Sequence, residues 1–173
     1  MPKKKGKKPP SGGGGGCNSA ICQVLGVNFT AAQNFGWTLV LEMPDVSGQF
    51  PITAVDLSAC QVSVQRPFGT VILSCKEIEN FISYEVRKNG GASGNDVAGS
   101  CNVICDLLNY NLQQETANGW GNAQAFTIEL IGTPSVELQS VNLGTCEVTV
   151  DTAPTTRNCT TIANTWNAFQ VHQ

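Results

Sequence analysis

The chain has 173 residues, enough for one medium domain or two small ones. Only 13% of the residues are charged, and Gly, Asn, Thr, Ser and Val are frequent, which favours strands and tight turns over a helical protein. No run approaches the roughly 18 apolar residues that a membrane span needs, so the sequence predicts none.

The N-terminal segment is basic, whereas the rest of the chain is acidic. Five lysines stand within six positions ahead of two prolines and a glycine run: Lys3, Lys4, Lys5, Lys7 and Lys8. Residues 1–16 carry +5, and residues 17–173 hold five basic against thirteen acidic residues, a balance of −8. We predict a disordered basic arm with a glycine hinge over residues 1–16, which binds nucleic acid by neutralising phosphates. A solubility tail or an expression remnant explains the same residues, and an acidic membrane surface would hold them only weakly.

Two parts of the chain match each other. Residues 55–64, VDLSACQVSV, align without a gap to residues 141–150, VNLGTCEVTV, and a Gly-Trp pair precedes each. The cysteines recur in the same order at offsets of 84, 83, 86 and 84. We therefore predict two tandem copies of one module of about 75 residues. They span residues 17–88 and 101–173, and residues 89–100 form a linker or long loop.

Within each copy the hydrophobic pattern is mainly β. Residues 21–29 alternate apolar and polar side chains, as a half-buried strand does. Further strands are predicted at residues 37–43, 52–57, 61–65 and 70–73, and at residues 126–131, 136–143 and 147–151. Residues 76–86 and 160–170 fit either a short helix or a final strand. We expect two similar β-sandwich-like or barrel-like modules, each with four cysteines and at most one short helix.

The eight cysteines are patterned as four per copy: Cys17, Cys22, Cys60 and Cys75, then Cys101, Cys105, Cys146 and Cys159. In modules of this size an even set favours two structural disulfides each, in any of three connectivities. Reduced thiols stay an alternative. A tetrathiolate zinc site fits less well, because the later pair in each copy is separated by 14 and 12 residues. We predict no metal site and no cofactor.

Disulfides normally belong to an oxidising compartment. The basic N-terminus, however, runs into Pro and Gly without an apolar stretch, so we expect no secretory signal. A hyperthermophile cytosol, thiols kept reduced in a core, or a particle made inside a cell and oxidised later would each reconcile the two observations.

The sequence offers little for catalysis. The one histidine, His172, is next to the C-terminus, where chains usually fray. Glu42 and Glu129 are the acids that recur at matching strand positions, and an outward-facing position on an amphipathic strand explains them. No serine lies in a nucleophile elbow, and the glycine run lacks the GK[ST] ending of a phosphate loop. We predict no catalytic residue and a protein that is not an enzyme.

The basic arm at residues 3–8, the glycine hinge at residues 11–16 and the β-rich body resemble the layout of coat proteins of small icosahedral viruses. The resemblance implies an arm that lies inside with the genome and a β body that forms the shell. Those shells are generally one jelly roll of eight strands, whereas this chain has two repeats, so a minor capsid or cement protein also fits. We expect a structural virion protein that assembles with itself or with other capsid subunits.

Two other functions stay open. A tandem binding module of adhesin or lectin-like type, at the cell surface or outside the cell by a non-classical route, would stack glycans on Trp37, Trp120 and Trp166. Their matched positions at strand entries favour core packing instead. A redox thiol protein would need a reactive cysteine.

Overall fold

One antiparallel sheet organises the computed structural model, which describes residues 16–97, 99–150 and 155–173. In these ranges the chain forms ten strands and three helices. In chain order they are α1 (Ala20–Phe35), β1 (Thr38–Met43), β2 (Val46–Asp56), β3 (Gln61–Arg66), β4 (Gly69–Ser74), β5 (Ser83–Arg87), α2 (Val103–Asn118), β6 (Thr127–Leu130), β7 (Val136–Asn142), β8 (Glu147–Val150), β9 (Thr155–Asn158), α3 (Cys159–Thr165) and β10 (Trp166–His172). We call the described residues up to 88 the first half and those from 101 the second half.

The strand order of the sheet reads the same way from both edges. It runs β4-β3-β2-β1-β5 and then β10-β6-β7-β8-β9, and β5 pairs with β10 at the centre. There Glu85 lies opposite Gln170, and the pairs Ser83–His172 and Arg87–Ala168 stand on either side. The two halves therefore share one continuous sheet.

The two long helices lie side by side on one face of this sheet. α1 contacts β1 and β2, α2 contacts β7, and the helices contact each other. The apolar side chains of the central strands pack beneath them, among them Leu39, Leu41, Tyr84, Val86 and Phe169. The fold is thus one sheet with helices on one face. It has two layers, a sheet and helices, instead of the sandwich-like or barrel-like modules that we expected.

The strand predicted at residues 21–29 is wrong, because these residues lie in α1. The side chain of Ser19 caps the helix by accepting a hydrogen bond from the Cys22 amide at 3.5 Å. Gly36 ends it in a left-handed conformation, with φ 72°. The buried residues recur at helical spacing: Ile21, Cys22, Val24, Leu25, Asn28 and Ala32.

α2 is built in the same way in the second half. Asn102 caps it by accepting from the Cys105 amide at 3.0 Å, and Gly119 ends it with φ 68°. Each half therefore begins with a 16-residue helix rather than with a strand.

The other predicted strands are present, although their ends shift. β2 begins six residues earlier than predicted, at Val46, and β9 was not predicted. Residues 76–86 and 160–170, which fit either a short helix or a final strand, contain most of the strands β5 and β10, and the second segment also contains part of α3. Residues 75–80 form turns, opened by reciprocal hydrogen bonds between Ser74 and Glu77, before β5. In the second half Asn158 caps α3, which leads into β10.

The segment between the halves is held against the core. The indole of Trp37 donates to the Ala92 carbonyl at 2.6 Å, and that of Trp166 donates to the Ser93 carbonyl at 2.8 Å. The described part of the predicted linker is thus a loop fastened by one tryptophan from each half. The boundaries at 17–88 and 101–173 remain a prediction.

Aromatic rings also join the halves reciprocally. Trp37, just before β1, packs edge-on against Trp166 of β10, with ring centroids 4.8 Å apart. Trp120 of the second half packs edge-on against Phe81, just before β5, at 5.2 Å. Each pair buries two large rings, one from each half, and edge-on packing stabilises the contact beyond this burial. The two halves therefore share one continuous core.

A pair of buried amides joins the two long helices. Asn28 and Asn111 each donate to the other's Oδ1, at 2.8 and 2.9 Å. Each Nδ2 also donates to a carbonyl one turn earlier, of Val24 and Leu107, at 2.9 Å. The hydroxyl of Tyr84 donates to Asn111 Oδ1 at 2.7 Å. Every amide hydrogen of this fully buried pair therefore has an acceptor, as a stable core requires.

Replacing Asn111 by leucine should lower the free energy of unfolding by about 2–4 kcal/mol, since Asn28 would lose one donor and one acceptor partner and the Tyr84 hydroxyl would be buried without a partner. Asn118→Ala, which removes an exposed hydrogen bond of the same helix, should change it by less than about 0.5 kcal/mol. Urea unfolding measures both.

The triple variant Asn28→Leu/Asn111→Leu/Tyr84→Phe should recover part of the lost stability, because it removes all three polar partners together. Equal stabilities for Asn111→Leu and Asn118→Ala would contradict the role of the amide pair.

Candidate functional site

The eight cysteines form four disulfides, two in each half. The pairs are Cys17–Cys60, Cys22–Cys75, Cys101–Cys146 and Cys105–Cys159. Both halves use the same one of the three open connectivities, first with third and second with fourth. The Cα–Cα distances, 5.0 to 5.9 Å, lie in the usual range. The predicted structural disulfides are confirmed, and four of them are compatible with an extracellular or secreted protein.

These disulfides tie the start of each long helix to the outer strands. Cys17 and Cys22 lie at the beginning of α1, while Cys60 ends the β2–β3 turn and Cys75 follows β4. Cys60 and its counterpart Cys146 have φ of 56° and 55°, a left-handed conformation that is uncommon outside glycine. They therefore end a turn, instead of lying inside a strand as their valine neighbours suggest.

In the first half the two disulfides converge. The sulfurs of Cys17, Cys22 and Cys75 lie within 4.8 Å of one another, and all three residues are buried. Cys60 is bonded to Cys17 and adds a fourth sulfur next to this group, outside the three that lie within 4.8 Å of one another. We call these four residues the first-half sulfur cluster. Within residues 16–97, 99–150 and 155–173, no other group of three His, Cys, Asp or Glu side chains brings its ligand atoms this close.

The predicted nucleic-acid-binding residues, Lys3, Lys4, Lys5, Lys7 and Lys8, lie outside the described residues. Two basic side chains of residues 17–173 contact other side chains of the fold. Arg87 pairs with Glu85, with Nε and Oε1 2.5 Å apart, and Arg66 lies over the ring of Phe50 at 5.3 Å. The arm thus stays the candidate for contact with nucleic acid.

The central strands carry polar side chains on the face away from the helices. Ser83 donates to Glu42 Oε2 at 3.1 Å and accepts from Gln170 Nε2 at 2.9 Å. His172 lies opposite Ser83 in the next strand, so a carboxylate, a hydroxyl and an imidazole stand in one row across the sheet. Glu129 lies on the same face and is exposed.

This row is poorly built for nucleophilic catalysis. Ser83 is 1% exposed, and its hydroxyl is held by Glu42 and Gln170. His172 Nε2 is buried and has no hydrogen-bond partner in the part of the chain that the structure describes. Burial lowers the pKa of His172, although the charges of Glu42 and Glu85 act against this shift. The Ser83 hydroxyl is therefore held inside the row rather than presented to solvent.

The expectation that His172 frays with the chain end is wrong. It is the last residue of β10 and is 6% exposed. Its carbonyl accepts a hydrogen bond from the Gly121 amide at 2.9 Å. The following residue, Gln173, donates its own amide to the Ile82 carbonyl at 3.0 Å. The strand is therefore anchored through its last residues.

The tryptophans mainly build the core. Trp37 and Trp166 are buried, and both indole N–H groups are used by the loop between the halves. Trp120 is half-buried against Phe81. Two of the three rings considered for glycan stacking are thus covered by protein.

The outer strands leave two sheet edges. In the described sheet β4 pairs only with β3, and β9 pairs only with β8. β4 reads GTVILS and carries no charge, whereas β9 contains Arg157. Ile72 of β4 is 62% exposed, and Phe68, in the turn before it, is fully exposed. The sequence pattern located β4 but not its place at an edge, because strand order depends on distant parts of the chain.

Comparison of the chain with protein-family models, with curated proteins and with solved structures finds no match. Across the described ranges, no helix combines the length and the apolar character needed to cross a membrane. Geometry and chemistry alone therefore bear on function.

The pKa of one carboxyl group is strongly raised. Glu115 of α2 is half-buried, and burial raises its pKa to about 7, helped by the negative charge of Glu137. The unfolded chain titrates near 4.5, so the folded state binds more protons between these two pH values. The free energy of unfolding should therefore fall as the pH rises from about 4.5 to about 7.

Glu115→Gln should abolish this part of the pH dependence. We expect the variant to match the wild type near pH 4 and to be more stable by about 1–2 kcal/mol near pH 8, after allowance for solvent screening. Urea unfolding at both pH values measures this. Glu137→Gln should give a smaller change in the same direction, and an equal stability difference at both pH values would contradict the assignment.

Proposed function

We propose that the protein is a structural subunit of a virus particle, as a capsid component or as a minor cement protein. The described body assembles through the β4 edge of its sheet. The lysine arm contacts nucleic acid or neighbouring subunits. The observation that carries the proposal is an uncharged, exposed edge strand on a body stapled by four disulfides.

The β4 edge is suited to pairing with another chain. A strand at an edge presents unpaired N–H and C=O groups, and soluble proteins usually block such edges with Lys, Pro or a bulge. Residues Gly69–Ser74 contain none of these charges or prolines, and their pairing with β3 is regular over all six residues. The favoured partner is β4 of a second copy, because antiparallel pairing of a strand with itself is a self-complementary twofold contact.

Two apolar side chains strengthen this contact. Ile72 stands out from the face of β4 opposite to the buried Val62 and Val64, and Phe68 projects at the strand's start. Burying one such side chain contributes about 1.5–3 kcal/mol. A single edge contact of this kind is weak, and a particle multiplies it over many subunits.

The disulfides suit a subunit that must persist outside a cell. They close loops of 43 to 54 residues, and each disulfide of this size stabilises the fold by about 4 kcal/mol in the chain-entropy treatment. Few charged side chains, 13% of the chain, also favour broad contacts without charge repulsion.

The charge distribution supports a division of labour between arm and body. Residues 17–173 carry −8 and repel nucleic acid, whereas residues 1–16 carry +5. If all five lysines bind phosphates, log K should fall with log salt with a slope of about −4 to −5 on duplex DNA. Binding of this type is indifferent to base sequence.

We also propose that the two halves are tandem copies of one module. The strand orders match, and disulfides that correspond have sequence separations of 43 and 45, and of 53 and 54. Asn28 corresponds to Asn111, and Cys60 to Cys146 with its unusual left-handed backbone. These matches include features that a common β pattern would not produce independently.

A glycan-binding module is the less favoured alternative. It would need exposed aromatic rings, and Trp37 and Trp166 are buried with their indole N–H groups in use. Trp120 alone, half-buried, would be left to stack on a sugar.

Ile72→Lys should weaken self-association of the purified protein at least tenfold, because it places a charge on the β4 edge. Light scattering over a concentration series and electron microscopy measure this. Ile131→Lys is the matched control: Ile131 is 58% exposed but lies in the other half, after β6. A wild type that stays monomeric at high concentration, or equal effects of both substitutions, would overturn the β4 contact.

Replacing the five arm lysines by glutamine should abolish copurification of nucleic acid, while assembly through β4 continues. The ratio of absorbance at nucleic-acid and protein wavelengths reports the first, and light scattering reports the second. Glutamine keeps the length of the arm, so a loss is due to charge. An unchanged nucleic-acid content would remove the proposed role of the arm.

A further inference from the structure

We propose that the first-half sulfur cluster is a redox-dependent metal site, which binds one Zn²⁺ or similar soft divalent ion when its two disulfides are reduced. The ligands are the thiolates of Cys17, Cys22, Cys60 and Cys75. The equivalent cysteines of the second half do not form such a site. This differs from the sequence-based prediction of no metal.

The positions of the sulfurs carry the proposal. In a tetrathiolate site each Zn–S bond is about 2.3 Å, which places the sulfurs about 3.8 Å apart. The sulfurs of Cys17, Cys22 and Cys75 already lie within 4.8 Å of one another. Reduction releases Cys60 from Cys17, and its side chain must then turn toward Cys22 and Cys75 to complete the four-ligand arrangement. Burial of three of the four residues keeps water away from the ion.

Acidic residues stand near the cysteines in both halves, Asp56 and Glu77 in the first and Asp106 and Glu147 in the second, and the halves differ in the first turn of the long helix. The first turn of α1 contains no acidic residue, and its N-terminus favours the thiolate of Cys22. Lys76 follows Cys75 directly and adds a positive charge. In the second half Asp106 follows Cys105 in the first turn of α2 and opposes a thiolate there.

The second-half sulfurs also face groups that disfavour an anion. Cys101 Sγ lies 3.2 Å from the Leu143 carbonyl oxygen, and Cys146 Sγ lies 3.3 Å from that of Ser100. A carbonyl oxygen carries partial negative charge, so a thiolate at either position is repelled. The two halves thus share a cysteine pattern, and the first alone is arranged for a metal.

The chemistry balances with an external reductant. A dithiol gives two electrons and two protons to each disulfide, which becomes two thiols, and the dithiol becomes a disulfide. A divalent ion then displaces the four thiol protons to form the tetrathiolate. An oxidant reverses the sequence by re-forming both disulfides and releasing the ion. The first half is therefore cross-linked in either redox state, by sulfur or by metal.

The test uses the full chain, reduced without oxygen by a water-soluble phosphine and then titrated with Co²⁺. We expect one Co²⁺ per chain, with the intense thiolate-to-cobalt absorption and visible bands of a tetrahedral site, displaced by an equal amount of Zn²⁺. The oxidised protein should bind neither ion.

Two matched variants assign the site. Cys22→Ser/Cys75→Ser should weaken Co²⁺ binding at least about 100-fold, whereas Cys105→Ser/Cys159→Ser should leave it unchanged. If reduction alone unfolds the chain, Zn²⁺ should restore the circular dichroism of the first half only when Cys22 and Cys75 are present. Absence of binding, two ions per chain, or equal loss in both variants would overturn the proposal.

Discussion

The buried amide pair between α1 and α2 is the contact on which the arrangement of the halves depends. Asn28 and Asn111 meet between the two helices, and each uses both amide hydrogens. A slip of one helix by a turn would break both hydrogen bonds between the amides and leave only those to Val24 and Leu107, which costs more than a displaced apolar contact. A single buried asparagine sets register in coiled coils by the same physics. Here the pair aligns the helices, and Tyr84 connects that alignment to the sheet.

The disulfides transmit this alignment from the helices to the outer strands. Cys17 and Cys22 fix the start of α1 to the β2–β3 turn and to the end of β4, and the second half repeats the scheme. Outer strands of a ten-stranded sheet have one strand neighbour and little core of their own. Two cross-links per half therefore tie outer segments of the sheet to a helix. An edge that presents the same geometry in every copy is what assembly requires.

Local sequence patterns predicted most strands well, but they could not predict features that depend on contacts between distant parts of the chain. The alternating valines of β3 and β8 appear in the sequence, and so do the matched cysteines. Residues 21–29 misled because Ile, Leu, Val and Phe alternate there over a short window, while the helical spacing continues to Ala32. The sequence analysis missed both long helices, and they cover the face of the sheet that a second sheet covers in a sandwich. The exposure of Ile72 and the convergence of the sulfurs depend on strand order and turn geometry, which no spacing rule contains.

The proposed functions all fall on the first half, although the halves are built alike. The Cys17 amide donates to the Leu57 carbonyl at 3.3 Å, so the residue that follows the predicted arm lies beside the β2–β3 turn. The uncharged edge and the sulfur cluster lie in the same half. In the second half Arg157 stands on the edge strand and Asp106 follows the helix cysteine. The proposed duplication would allow this specialisation, because one copy keeps the fold while the other acquires contacts.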